Sequence, residues 1–130
     1  MNTAVNFELA KWLKEKEFDL KVRSMYCEKK LHEDTNSKGN YNDVIWVRTW
    51  RKSPYDDTVS APTIAEVIMW LYEKHGIWIG VIKHTKNGLK CFNPYIDNTS
   101  VKTDLFFNDY DFPTEAYEAA IHYIKENNLI

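Results

Sequence analysis

Apolar residues recur every three to four positions in three stretches of the chain, residues 4–16, 63–75 and 114–127. This spacing is typical of helices that bury one face and expose charged residues on the other. Three amphipathic helices are therefore predicted. Their predicted buried stripes are Val5, Leu9, Trp12 and Leu13, then Ile64, Val67, Ile68 and Leu71, then Tyr117, Ala120, Ile121 and Ile124.

The middle helix carries recognisable signals at both ends. Thr63 and Glu66 follow Pro62 with the spacing of a capping box. In this motif the side chain of each residue accepts a hydrogen bond from the backbone amide of the other. Gly76 follows Lys74 and His75, at a position where many helices end in a left-handed residue. The helix is predicted to begin at Thr63 and to stop before Gly76.

The period then changes from helical to alternating, which predicts a β-hairpin. Residues 77–86 and 89–97 flank Asn87-Gly88, and this dipeptide favours the positive φ angles of a two-residue type I′ turn. A two-residue loop fixes the register, so residues whose numbers sum to 175 face each other.

The two faces of this hairpin differ in character. One is apolar and is predicted to pack against helices: Ile77, Ile79, Val81, Phe92 and Ile96. The other mixes aromatic, polar and small residues: Trp78, Gly80, Ile82, His84, Cys91, Asn93 and Tyr95. Tyr95 falls opposite Gly80, an arrangement in which an aromatic ring covers the gap left by a strand glycine.

Strand signals elsewhere are weaker. Rough alternation over residues 21–31 predicts one strand, residues 32–42 a polar loop, and the β-branched and aromatic run 44–50 its hairpin partner. Residues 51–61 are interpreted as a connection, and 101–107 as a further short strand. The prediction is one α+β domain over residues 1–130, with three helices on a mostly antiparallel sheet of four to five strands in the order α-β-β-α-β-β-(β)-α.

Composition narrows the class of protein. The 130 residues are 44% hydrophobic and 28% charged with a formal charge of -2, which fits one soluble domain and gives no basic field for nucleic acid. Cys27 and Cys91 lack CxxC spacing and form no zinc signature with the scattered histidines, so we expect reduced thiols, no metal and no cofactor. The sequence contains no apolar run of membrane length and no signal peptide, which predicts a cytoplasmic protein without membrane contact.

Aromatic residues make up 15% of the chain, and their placement suggests a binding surface. If both hairpins join one sheet, Trp46, Arg48 and Trp50 share a face with Trp78 and Tyr95. Such a face offers rings on which bases or sugars stack, with a planar cation beside them. The competing interpretation is that a helix or a second copy covers this face and that the tryptophans are ordinary core or dimer contacts.

Two other groups of residues have weaker chemical interpretations. His84 opposite Cys91 is a possible base and nucleophile, but neither an oxyanion site nor a third orienting residue is evident. The acidic residues near the last helix are expected to cap its amides and complement its dipole rather than to bind a cation. These acidic residues are Asp104, Asp109, Asp111, Glu115 and Glu118.

Two segments carry a resemblance to known proteins. The run SAPTIAEVIMWLYEKHGIWI from Ser60 to Ile79 and the ending PTEAYEAAI from Pro113 to Ile121 resemble small uncharacterised proteins carried by prophages and mobile elements of gut bacteria. That family has no assigned activity. The resemblance implies a phage accessory protein and no particular chemistry.

These observations together predict a non-enzymatic binding or adaptor protein, phage-related, that engages a protein partner or its own copy. The predicted contact residues are those of the aromatic face: Trp46, Arg48, Trp50, Trp78 and Tyr95. Single-stranded nucleic-acid binding by the same face is the alternative, against which the near-neutral charge argues. A cysteine-dependent enzyme is the remote third possibility.

Overall fold

The computed structural model describes residues 3–20, 22, 24–27, 30–33, 59–98, 102–104 and 109–130. In this part of the chain there are three helices and six strands, and every strand pairing is antiparallel. Contacts divide the chain into two compact units, residues 2–66 and residues 67–130.

The first unit contains α1 (Phe7–Glu15) and the strands β1 (Ser24–Cys27), β2 (Lys30–Glu33) and β3 (Val59–Ser60). The central strand β1 pairs with β2 on one side and β3 on the other. Helix α1 contacts β3. This is a small three-stranded sheet with one helix on it.

Three predictions about this sheet were wrong. The stretch 21–31 is not one strand, because the chain reverses within it and Cys27 pairs with Lys30 across a two-residue connection. Strand β2 then extends to Glu33, into the predicted loop, and β3 lies within the predicted connection 51–61. The predicted strand 44–50, with Trp46, Arg48 and Trp50, lies outside the described residues.

Helix α1 confirms the first amphipathic stripe. Its predicted apolar residues are all buried, and the Asn6 side chain accepts a hydrogen bond from the Leu9 amide at 2.9 Å to cap its start. The helix ends without glycine: Glu17 adopts φ 62°, and the amides of Glu17 and Phe18 donate to the carbonyls of Lys14 and Leu13. These two bonds form a Schellman motif.

The segment before α1 is fastened to the segment before α2 (Ile64–His75). The Val5 amide donates to the Pro62 carbonyl at 2.9 Å, and the Ile64 amide donates to the Thr3 carbonyl at 3.2 Å. The Tyr26 hydroxyl donates to the Val5 carbonyl at 2.7 Å, which ties β1 to the same segment.

The predicted capping box of α2 is confirmed. The Thr63 amide donates to Glu66 Oε1 at 3.0 Å, and the Glu66 amide donates to Thr63 Oγ1 at 3.2 Å. The helix ends at His75, and Gly76 follows it with φ 65°. Its predicted stripe is buried, together with Trp70.

The second unit is built on the hairpin of β4 (Ile77–Lys86) and β5 (Leu89–Asn98), and β6 (Lys102–Asp104) pairs with β5. The predicted register is confirmed, with Gly80 opposite Tyr95 and His84 opposite Cys91. Asn87 and Gly88 have φ 52° and 79°, as the type I′ turn requires.

Helix α3 (Pro113–Glu126) packs on β4 and β5. Its fully buried residues are Ala116, Ala120, Ile121 and Ile124. Burying each isoleucine contributes about 1.5–3 kcal/mol. Phe112 is the N-cap and makes no side-chain capping bond, and Glu115 lies in the first turn, where the prediction placed an acidic residue to complement the helix dipole.

The coarse fold class is confirmed: three helices with antiparallel strands in a mixed α+β arrangement. A single sheet of four to five strands is not confirmed, since the described strands lie in two sheets of three. The single domain over residues 1–130 stays a prediction. None of the helices in the described segments has both the length and the apolar character needed to cross a bilayer.

Candidate binding surface on the second hairpin

The two faces of the β4–β5 hairpin differ in burial as they differ in sequence. Ile77, Ile79 and Ile96 are about 1% exposed. The opposite face, which we call the Trp78 face, is partly covered and partly open. It divides along its length into an apolar region near the start of β4 and a polar region near the turn.

The apolar region is built around Trp78, which is 41% exposed, and Ile82, which is 43% exposed. Gly80 lies between them on the strand, and the ring of its partner Tyr95 covers the Gly80 backbone. The missing side chain thus lets the Tyr95 ring lie against the sheet.

Helix α2 extends this apolar region. Gly76 turns the chain so that the last turn of α2 lies beside the start of β4, and the rings of Tyr72 and Trp78 meet edge-to-face at 5.4 Å. Tyr72 is 52% exposed, and Met69, one turn earlier, is 45% exposed. We call these residues the Trp78 patch: Met69, Tyr72, Trp78, Ile82 and Tyr95.

The polar region owes its composition to a neighbouring backbone segment. Phe92 and Tyr110 exchange two backbone hydrogen bonds, at 2.9 and 3.0 Å, in an isolated antiparallel bridge. Because these residues pair, Asp109 falls beside Asn93, and both belong to the Trp78 face. A carboxylate from a distant part of the chain thereby reaches the hairpin.

Asp109 is held by two donors. Asn93, which is fully buried, donates from Nδ2 to Asp109 Oδ1 at 2.8 Å, and Lys86 Nζ donates to Oδ2 at 3.1 Å. His84 Nε2 lies 3.8 Å from Oδ1. The hydrogen bonds from Asn93 and Lys86 lower the pKa of the Asp109 carboxyl, so it is ionised at neutral pH.

Cys91 completes this group, which we call the His84 cluster: His84, Lys86, Cys91, Asn93 and Asp109. The Cys91 thiol donates weakly to the Leu89 carbonyl at 3.8 Å. Donor atoms of His84, Cys91 and Asp109 all lie within 4.8 Å of one another. An imidazole, a thiol and a carboxylate so placed are chemically able to share a metal ion.

The structure brings together part of the predicted binding face. Trp78 and Tyr95 lie diagonally adjacent across the hairpin, whereas Trp46, Arg48 and Trp50 lie outside the described residues. His84 and Cys91 face each other as predicted, and Asp109 lies near both, with 3.8 Å between His84 Nε2 and Asp109 Oδ1.

Among the contributors to this surface that sequence reasoning missed, Tyr72 and Asp109 are opposite cases. Tyr72 had a usable signal, because a glycine that ends a helix directly before a strand brings the last helical turn near the first strand residues. No sequence signal placed Asp109 at this surface, since its position depends on the Phe92–Tyr110 bridge between distant segments.

Comparison with known proteins adds no family or fold relative: no family model, curated protein or solved structure matches the chain. The resemblance to prophage-borne proteins stays a prediction from the sequence.

Proposed function

We propose that the protein is a non-enzymatic binding protein that recognises a protein surface through the Trp78 patch, with a second copy of the chain as its best-fitting partner. The observation that carries this proposal is the Tyr72–Trp78 ring pair, whose members touch each other while remaining 52% and 41% exposed. Exposed aromatic pairs flanked by further apolar side chains are typical of interaction surfaces.

A second copy fits this surface for two reasons. The patch contains no charged side chain, so its complement must also be apolar, and another copy presents such a surface by symmetry. The formal charge of -2 on 130 residues also gives little electrostatic repulsion between copies. A phage accessory role remains the expectation from the sequence resemblance.

Single-stranded nucleic acid is a less favoured partner. Lys86, a cation on the same face, is paired with Asp109 at 3.1 Å and is therefore partly neutralised as a phosphate contact. The stacking surface predicted from Trp46, Arg48 and Trp50 stays a prediction.

Cysteine-dependent catalysis is also less favoured, although Asp109 lies near His84 and Cys91. The 3.8 Å separation between His84 Nε2 and Asp109 Oδ1 exceeds hydrogen-bond distance. The side chains of His84 and Asp109 are 41% and 32% exposed, so solvent screens the charge interaction between them.

The decisive experiment is a concentration series of light-scattering mass for the wild type and three variants. Trp78→Thr and Tyr72→Glu change exposed patch residues to types that suit a strand and a helix respectively. Phe112→Ser is the matched control, because Phe112 is 62% exposed outside the patch and serine is favoured at a helix N-cap.

We expect a dimer mass for the wild type and for Phe112→Ser, and a monomer mass for the two patch variants at the same concentrations. A wild type that stays monomeric up to millimolar concentration contradicts self-recognition. Quenching of tryptophan fluorescence by mixed single-stranded oligonucleotides, lost in Trp78→Thr and weakened by salt, favours the nucleic-acid alternative instead.

A further inference from the structure

We propose that His84, Cys91 and Asp109 form a binding site for one Zn²⁺ ion, with Cys91 as thiolate, His84 as neutral imidazole, Asp109 as carboxylate and the fourth position open to water or an added ligand. This site lies near the turn of the hairpin and is separate in residues from the Trp78 patch. It does not depend on the proposed function.

The donor set fits zinc. Zn²⁺ takes thiolate sulfur, imidazole nitrogen and carboxylate oxygen, whereas Mg²⁺ and Ca²⁺ take oxygen ligands. Three protein ligands with one open position is the arrangement of non-structural zinc sites. The spacing 84, 91 and 109 matches no zinc signature because the ligands are collected by strand register and a backbone bridge.

The distances also fit. Around a tetrahedral zinc ion the donor atoms lie about 3.3–3.8 Å apart, given bond lengths of about 2.0–2.3 Å. His84 Nε2 and Asp109 Oδ1 are already 3.8 Å apart, and all three donors lie within 4.8 Å of one another. Bringing the three donor atoms to the separations of a tetrahedral zinc site requires movements of about 1 Å. Rotations of these half-exposed side chains provide such movements.

The backbone prepares this arrangement before any ion binds. His84 and Cys91 are direct cross-strand partners, so their Cβ atoms are close by construction. Asp109 is oriented by the hydrogen bond from buried Asn93 at 2.8 Å, and a hydrogen-bonded carboxylate is typical of metal sites.

The positive charge of Lys86 is expected to weaken the binding of a metal ion at this site. Its ammonium lies 3.1 Å from Asp109 Oδ2, so an incoming cation must overcome the repulsion of that charge or displace it. Removing the charge while keeping the side-chain stem is therefore predicted to strengthen binding. This gain cannot be produced by misfolding, which makes it the most informative variant.

The experiment uses the full-length reduced protein and Co²⁺ as a spectroscopic probe, followed by Zn²⁺ competition against a chelator. We expect one Co²⁺ per chain, a thiolate-to-cobalt charge-transfer band and the strong visible bands of tetrahedral coordination. Zn²⁺ should displace the cobalt and protect Cys91 from alkylation, as read by mass spectrometry of its peptide.

Two serine variants identify the thiol. Cys91→Ser should abolish the charge-transfer band and weaken Zn²⁺ binding at least about 100-fold, since losing a ligand costs more than losing an outer partner. Cys27→Ser is the matched control and should keep the band. Binding that survives in Cys91→Ser, or a band that disappears in Cys27→Ser, overturns the proposal.

The charge variants test the remaining geometry. Asp109→Asn should weaken Zn²⁺ binding, and Lys86→Met should tighten it by at least about threefold because a nearby positive charge is removed. Absence of a charge-transfer band in the wild type, or unchanged affinity in both variants, contradicts the site. Far-ultraviolet circular dichroism confirms that each variant is folded.

Discussion

Tyr95 lays its ring over the backbone of Gly80, its direct cross-strand partner in the β4–β5 hairpin. A Cβ atom at position 80 would collide with Cζ, Cε1 and the hydroxyl oxygen of Tyr95. The glycine therefore decides where this ring lies, and the ring in turn fills the space between Trp78 and Ile82. The contour of the Trp78 patch depends on this pair.

Gly80→Ala is expected to destabilise the protein by about 1–3 kcal/mol, because the Tyr95 ring must leave its position to admit the new methyl group. The free energy of unfolding in urea measures this change. The same substitution should reduce self-association through the Trp78 patch, since the displaced ring changes the surface that a partner meets.

A double-mutant cycle separates this contact from the ordinary effect of alanine in a strand. In a Tyr95→Ala background the methyl group at position 80 meets no ring, so Gly80→Ala should become neutral or stabilising by up to about 1 kcal/mol. An equal loss of stability in both backgrounds contradicts the ring contact as the cause.

The Asp109 carboxylate is expected to make the folded state acid-sensitive. The hydrogen bonds from Asn93 and Lys86 lower the pKa of Asp109 below its unfolded value of about 3.9. A lowered folded pKa contributes stability that is present above the unfolded pKa and is lost as the pH falls through the folded pKa. In the Asp109→Asn variant, the free energy of unfolding should therefore fall less steeply as the pH is lowered.

Urea unfolding of wild type and variant between about pH 5 and pH 2 checks this slope. Asp111→Asn is the control: Asp111 is exposed and two residues further along, and this variant should retain the contribution of Asp109. Equal slopes in wild type and Asp109→Asn contradict the assignment.

Local chemistry explains which parts of this fold the sequence predicted. The register of the second hairpin was predicted correctly because Asn87-Gly88 fixes a two-residue turn and the turn fixes every pair along both strands. The capping box at Thr63 and the left-handed Gly76 likewise depend on neighbours within four residues.

The errors arose where pairing is not local. Alternation over 21–31 continues through a chain reversal, because both strands of a tight hairpin can share one polar-apolar pattern. Only part of the His84 cluster was predicted. His84 and Cys91 were expected to face each other because the local hairpin register pairs them. Asp109 joins them through a bridge that sequence periodicity does not encode.

The capping box of α2 provides a direct test of local stability. Thr63→Ala removes the hydroxyl that accepts from the Glu66 amide and should cost about 0.5–2 kcal/mol. Thr63→Ser keeps an oxygen in reach and should cost much less. Chemical denaturation of both variants checks the difference, and equal losses contradict a role for the hydroxyl.

The end of α1 offers a stabilising substitution. Glu17 holds φ 62°, a left-handed conformation in which an L-residue with a Cβ atom pays about 1–2 kcal/mol relative to glycine. Its amide and that of Phe18 donate to carbonyls in the last turn, and glycine preserves both bonds. Glu17→Gly should therefore raise the free energy of unfolding by up to about 1 kcal/mol, after the greater flexibility of glycine in the unfolded chain is counted.

Glu15→Gly, two residues earlier and inside the helix, is the matched control and should lower stability by about 1 kcal/mol. Thermal and urea unfolding of the two variants must give opposite signs, and a loss of stability in both contradicts the left-handed cap at Glu17.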